Sequence, residues 1–132
     1  MLKVDIRTIK QSEHRYETLG DYWDDAEGTH IRVTALKSED SEFLVAVHEL
    51  VEQYLLKVAF IKEEDVKAFD IMFEEERAQG KWDEYAEPGD DPRAPYRKQH
   101  FMAEVIERAL ASMIGVDWRV HCEYQQYEDK KD

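Results

Sequence analysis

The hydrophobic period of this chain changes once, near Leu36, and that change limits the fold more than any other feature. Before it, apolar residues alternate. Residues 2–8 place Leu2, Val4 and Ile6 on one face and Lys3, Asp5 and Arg7 on the other, the pattern of a half-buried strand. The stretch "LGDYWDD" (19–25) predicts a second strand and "HIRVTAL" (30–36) a third, with Ile31, Val33 and Ala35 facing in. Glu27-Gly28 between them is a hairpin signal. Together these segments predict a small antiparallel sheet of about three strands.

After Leu36 the period becomes that of a helix. Ser38 is a candidate N-cap, followed by acids that suit a first turn. The first helix is expected over 41–59. A second should begin near Lys62 and end before Gly80. Residues 80–95, "GKWDEYAEPGDDPRAP", are rich in turn formers and read as a loop. A third helix is expected over 95–114, with Pro95 in its first turn and Gly115 as its C-terminal cap. Its core stripe should be Phe101, Val105, Ala109 and Met113, with Ile106 and Leu110 beside it. The remainder predicts a short last helix and a charged tail. The 132 residues show no repeat, so one domain is expected, 1–132. Strands first and helices after predict an α+β fold, with three or four helices packed against the sheet.

Charge narrows the function. There are 31 acidic and 18 basic residues, a formal net charge of −13. Such a surface repels phosphate backbones, which argues against nucleic-acid binding. Arg93, Arg97 and Lys98 are too few to make a basic patch. The single cysteine, Cys122, rules out an internal disulfide and any site built on several thiolates. The first ten residues lack the apolar run of a signal peptide, and no segment reaches the length of a membrane span. A soluble cytoplasmic protein is expected. No phosphate loop, nucleophile elbow or dinucleotide fingerprint occurs. Cys122 as a nucleophile would need a base and an electropositive setting.

Three ionisable residues interrupt the apolar pattern of the first helix: His48, Glu49 and Glu52. His48 and Glu52 are four apart and share one face. The string is His-Glu-x-x-Glu, a variant of the zinc-binding His-Glu-x-x-His, in which the outer residues bind metal and the inner Glu is the general base. In the second helix Asp70 sits on the apolar stripe with Val66, Phe69 and Phe73. A buried Asp is costly unless it is paired or bound to a metal. In the third, His100 and Glu104 are again four apart, with Glu107 one turn on. His48, Glu52, Asp70 and His100 are therefore the candidate metal ligands, Glu49 the candidate base and zinc the metal this donor set suggests. Whether Asp70, His100 or Glu104 completes the site stays open. His14, His30 and His121 are expected to be ordinary surface residues.

The order "HIRVTAL", a short turn and "FLVAVHELVEQYL" resembles the core of the zincin metallopeptidases, over about residues 30–56. The resemblance implies hydrolysis of peptide or amide bonds, an edge strand that pairs with an extended substrate, and a third ligand from further along the chain. Glu52 stands where the family has a second histidine. A longer stretch, "EFLVAVHELVE", "EEDVKAFD" and "EPGDDPRAPYRKQHFMAEVIERALASMIGVDW", is similar to small uncharacterised proteins of bacteriophages and prophages. It implies a phage origin, with the host cytoplasm as the place of action. Two other functions fit the same residues. One is a non-enzymatic acidic phage protein that binds a host or phage protein, its His/Glu/Asp cluster a structural network. The other is a magnesium-dependent nucleotide hydrolase, which favours carboxylates over histidine. The oligomeric state has no signature in the sequence.

Overall fold

In the computed structural model, the backbone of residues 1–131 and the side chains of residues 1–125 are described. Three strands, β1 (Val4–Ile9), β2 (Gly20–Asp25) and β3 (Gly28–Thr34), are followed by α1 (Glu39–Val58), α2 (Glu63–Ala78), α3 (Arg97–Met113) and α4 (Trp118–Lys131). This is the expected α+β order, with the switch of period falling at the sheet-to-helix junction. The side chains of the charged tail after residue 125 lie outside the described residues.

The sheet is mixed, not antiparallel. Its order is β1-β3-β2, with β2 antiparallel to β3 and β1 parallel to it. The cause is the connection. β2 and β3 form a tight hairpin that closes at Gly28, whose φ of 122° is open to glycine and costly for other residues. The hairpin occupies one edge of β3, so β1 can join only at the other edge, running alongside β3. Leu2, Val4 and Ile6 do not enter the core: they are exposed, Ile6 at 46%. Alternation identifies a face of a strand, but this face of β1 has nothing packed on it. Ile31 and Val33 do face in, at 0% and 1% exposure, while Ala35 is exposed. Burying residues of this size contributes about 1.5–3 kcal/mol each. The core continues through Leu44, Val45, Leu56, Val66 and Phe73.

Ser38 caps α1, its hydroxyl accepting from Ser41 N at 3.4 Å, and Glu39, Asp40 and Glu42 occupy the first turn. The helix ends in a Schellman turn, with Ile61 N donating to Leu56 O at 3.0 Å and Phe60 N to Lys57 O at 3.2 Å. The left-handed position of that turn is Phe60, at φ 59°, and its ring is 92% exposed. A side chain pays steric strain there without burial in return. Phe60→Gly is therefore expected to stabilise the protein by up to about 1 kcal/mol, read as a higher urea midpoint. A lower midpoint would mean that the ring makes stabilising contacts.

α3 is inverted relative to its sequence pattern. The expected core stripe points outward: Phe101, Val105 and Met113 are 62%, 43% and 83% exposed. The inward face is His100, Ala103, Glu107 and Ala111. The alanines let α3 approach α1 closely, and the polar pair meets His48 and Glu52 of α1. Four buried polar groups that satisfy one another have fixed the orientation of the helix against its hydrophobic pattern.

Candidate metal centre

α1 supplies the first two groups. One helical turn puts His48 and Glu52 on the same inward face, and both are buried. α3 brings His100 onto them. His48 Nε2 lies 3.1 Å from Glu52 Oε2 and 3.2 Å from His100 Nδ1, and His100 Nδ1 lies 3.1 Å from the same Glu52 oxygen. Three ligand atoms thus form a nearly equilateral triangle. Nitrogen and oxygen ligands about 2.0–2.1 Å from a tetrahedral zinc stand about 3.3–3.4 Å apart, so the triangle is close to the size a metal needs. His48, Glu52 and His100 could hold a metal ion.

Each of the three is oriented by an outer partner. His48 Nδ1 contacts Glu107 Oε1 at 2.7 Å, His100 Nε2 contacts Glu87 Oε2 at 2.9 Å, and Tyr22 donates its hydroxyl to Glu52 Oε1 at 3.1 Å. Carboxylate partners on the far ring nitrogen are the usual support of ligating histidines. Their consequence here is electrostatic. With Nδ1–H of His48 given to Glu107 and Nε2–H of His100 given to Glu87, the inner nitrogens present lone pairs. Those two lone pairs and a carboxylate oxygen face one another and repel unless a cation lies among them. That cation is either protons on the rings or a metal ion.

Burial and hydrogen bonding act in opposite directions on these groups. Burial disfavours charge on His48 and His100, yet hydrogen bonds to Glu107, Glu52 and Glu87 outweigh it. His48 is raised well above the usual imidazole range and His100 to about 10. Burial alone would raise Glu52, but the two histidines hold it below the usual carboxylate range. Glu49 goes the other way: burial first, then the neighbouring Glu52 carboxylate, push it up.

Glu107 links this group to α4. Its other oxygen meets His121 Nε2 at 2.6 Å, and His121 Nδ1 meets Ser41 Oγ at 3.0 Å. His121 is not a surface residue. It is fully buried, because α4 folds back over the start of α1. Ser41, His121 and Glu107 have the connectivity of a nucleophilic triad, but Ser41 is 1% exposed and sealed from substrate, so the three act as a scaffold. His14 and His30 are also half-buried rather than free, through contacts to Thr34 and Asp25. Cys122 sits in a setting that disfavours its thiolate: burial, then Glu87 and Glu107, push its thiol up to about 11.

A cavity of about 220 Å³ opens beside the three ligands, lined among others by Glu49, Asp70, Tyr16, Tyr22 and Tyr96. Asp70 shares this cavity but is not one of the three converging groups. It accepts the hydroxyl of Tyr96, and burial raises its carboxyl to about 7. Of the open choices for a third group, His100 is the one that converges on His48 and Glu52. Glu104 stays on the flank, 3.6 Å from Arg108. Sequence spacing singles out neither Glu87 nor Tyr22, and it places His121 at the surface. Glu87 had one signal, its place at the start of the Pro-Gly turn that leads to His100.

Two glycines hold the walls. Gly20 of β2 lies against the Glu49 side chain, and Gly89 lies flat on the His100 ring. A Cβ at 89 would overlap the imidazole. Gly89→Ala must displace His100 or the loop, and a displaced ligand should cost about 10–100-fold in metal affinity. A competition titration against a chromophoric chelator reads this directly. Unchanged affinity would mean that the loop gives way and His100 keeps its place.

Neither family models, nor curated proteins, nor solved structures give a match to this chain, so the reading of this centre stands on its own geometry.

Proposed function

We propose that the protein is a zinc-dependent hydrolase of amide or peptide bonds, with His48, Glu52 and His100 as ligands and Glu49 as general base. The observation that carries this reading is the convergence of three lone-pair donors at 3.1–3.2 Å beside an open cavity. Two histidines and a glutamate form a donor set that hydrolytic zinc sites use, leaving a position for water. When bound, zinc would supply Lewis acidity and lower the pKa of water toward neutrality.

The rest falls to the protein. Glu49 lines the cavity next to His48, and its raised proton affinity suits a base that accepts a proton near neutral pH. Asp70, raised to about 7, faces the same cavity and retains a proton that a leaving amine can take. Tyr22 and Glu107 keep Glu52 and His48 in place. The resemblance to zincins supports the His-Glu-x-x-Glu helix and a later third ligand. It does not extend to substrate pairing by residues 30–36, because β3 is the central strand, with a neighbour on each side and no free edge.

The lining selects among substrates. Eight lining residues are Asp or Glu. Arg77, the one Lys or Arg of the lining among the described residues, is tied to Glu74 and to the carbonyls of Asp83 and Ala86. A nucleotide would bring more negative charge into this field. A neutral or cationic amide is the better fit, which places the magnesium nucleotide hydrolase behind it. A partner-binding phage protein with a purely structural cluster is the rival.

Glu49→Gln separates these readings. It keeps the shape of the side chain and all three ligands. The variant should retain metal by elemental analysis and lose at least about 100-fold in turnover of an amide library. If the metal-loaded wild type turns over no amide, the centre is structural and the partner-binding reading takes precedence. Zinc and ferrous iron both accept two histidines and a carboxylate, and the same elemental analysis identifies the metal.

A further inference from the structure

The outward face of α3 is the part of the molecule that the metal centre does not use. We infer that it is a homodimer interface, in which α3 packs antiparallel on α3 of a second copy about a two-fold axis. The face combines Phe101, Met102, Val105, Ala109 and Met113, all exposed. Phe101, Val105, Ala109 and Met113 are spaced by four and form one continuous ridge, suited to packing between the ridges of another helix. A monomer's helix normally turns its apolar stripe to the core. This one cannot rotate inward, because its opposite face carries His100 and Glu107 into the hydrogen-bonded centre.

Area, charge and register point to a second copy as the occupant. With Phe101 at 62% and Met113 at 83% exposure, the face offers roughly 500 Å² of apolar surface, and two copies roughly 1,000 Å², the lower bound of specific interfaces. Its local charge is also basic in a chain of net charge −13, which lowers the repulsion between two copies here. The exposed charges among and beside these residues are Arg97, Lys98 and Arg108, whereas Glu104 is half-buried and Glu107 buried. An antiparallel pairing centred at Glu107 sets Val105 against Ala109 of the second copy, where small side chains allow close approach. It sets Phe101 against Met113 at each end. Such an isologous arrangement closes at two chains.

Sedimentation equilibrium on the full chain tests this. The wild type should be predominantly dimeric at about 50 µM, in the range typical of a small interface. Val105→Asp places an unpaired carboxylate beside the two-fold axis, against Ala109 of the second copy, and should weaken association at least about tenfold, with helical circular dichroism unchanged because residue 105 faces solvent in the monomer. In a Cys122→Ser background, Val105→Cys chains mixed with Ala109→Cys chains should form disulfide-linked pairs faster than either alone. A wild type that stays monomeric at 200 µM overturns the proposal, as does a dimer that Val105→Asp leaves intact. Cross-linking of each variant to itself in preference to the mixture overturns the antiparallel register. A monomer that instead binds phosphatidylcholine vesicles through Phe101 and Met113 overturns the second copy as occupant.

Discussion

Chelation of divalent metal is expected to lower the melting temperature of this protein by roughly 15 °C. Metal at about 1,000 times its Kd stabilises a native state by about 4 kcal/mol, and a domain of this size shifts by about 4 °C per kcal/mol. The effect should be large because the metal-free centre holds two lone pairs and a carboxylate oxygen within 3.2 Å of one another. Without metal, protons must bind to relieve that repulsion. His48→Ala removes one of the three ligands. Its melting temperature should fall below that of the metal-loaded wild type and become insensitive both to added zinc and to chelator. A purely structural polar network behaves differently: the wild type would melt at the same temperature with and without chelator and purify without metal. That pair of results would falsify the metal centre.

The sequence and the structure agree on different grounds in different places. The change of period at Leu36 is a local signal repeated over many residues, and it located the sheet-to-helix junction. His48 and Glu52 were legible because helical spacing puts them on one face whatever else the chain does. His100 was legible as a polar group in an amphipathic helix, although only the packing of α3 on α1 separated it from Asp70 and Glu104. The failures share one cause. Alternation in residues 2–8 defines two faces of β1 but does not say which strand it joins or whether anything covers it. The stripe Phe101, Val105, Ala109, Met113 defines a face of α3, and hydrophobicity alone sends that face inward. What reversed it is a set of hydrogen bonds between residues 48, 52, 100, 107 and 121, spread over three helices. Bonds of that span leave no local spacing to read, and for the same reason His121 looked like part of a polar tail.

Glu107→Ala is the substitution expected to cost most in stability. Its two oxygens accept from His48 at 2.7 Å and His121 at 2.6 Å, and it is 5% exposed. Burial works against its charge, yet these two histidines hold its carboxyl below the usual range, so it is ionised where it sits. Truncation leaves His48 Nδ1 without its partner and His121 Nε2 with only Gln125 beside it, and it removes the charge that stabilises both rings. Breaking a buried charged pair by deleting one member costs about 3–5 kcal/mol. The loss of orientation at His48 should reduce metal affinity about 10–100-fold as well. Glu87→Ala is the contrast. Glu87 supports His100 in the same manner, but its side chain is 44% exposed, so water can replace it. It should lower metal affinity while costing less than about 1 kcal/mol of stability. Urea unfolding of the chelated proteins gives the stability terms, and competition against a chromophoric chelator gives the affinities. If Glu107→Ala loses stability but binds metal as tightly as the wild type, Glu107 fastens α4 to the core without orienting His48. If Glu107→Ala and Glu87→Ala lose equal stability, burial does not separate the two carboxylates, and the path from Ser41 through His121 to His48 carries no special weight in the fold.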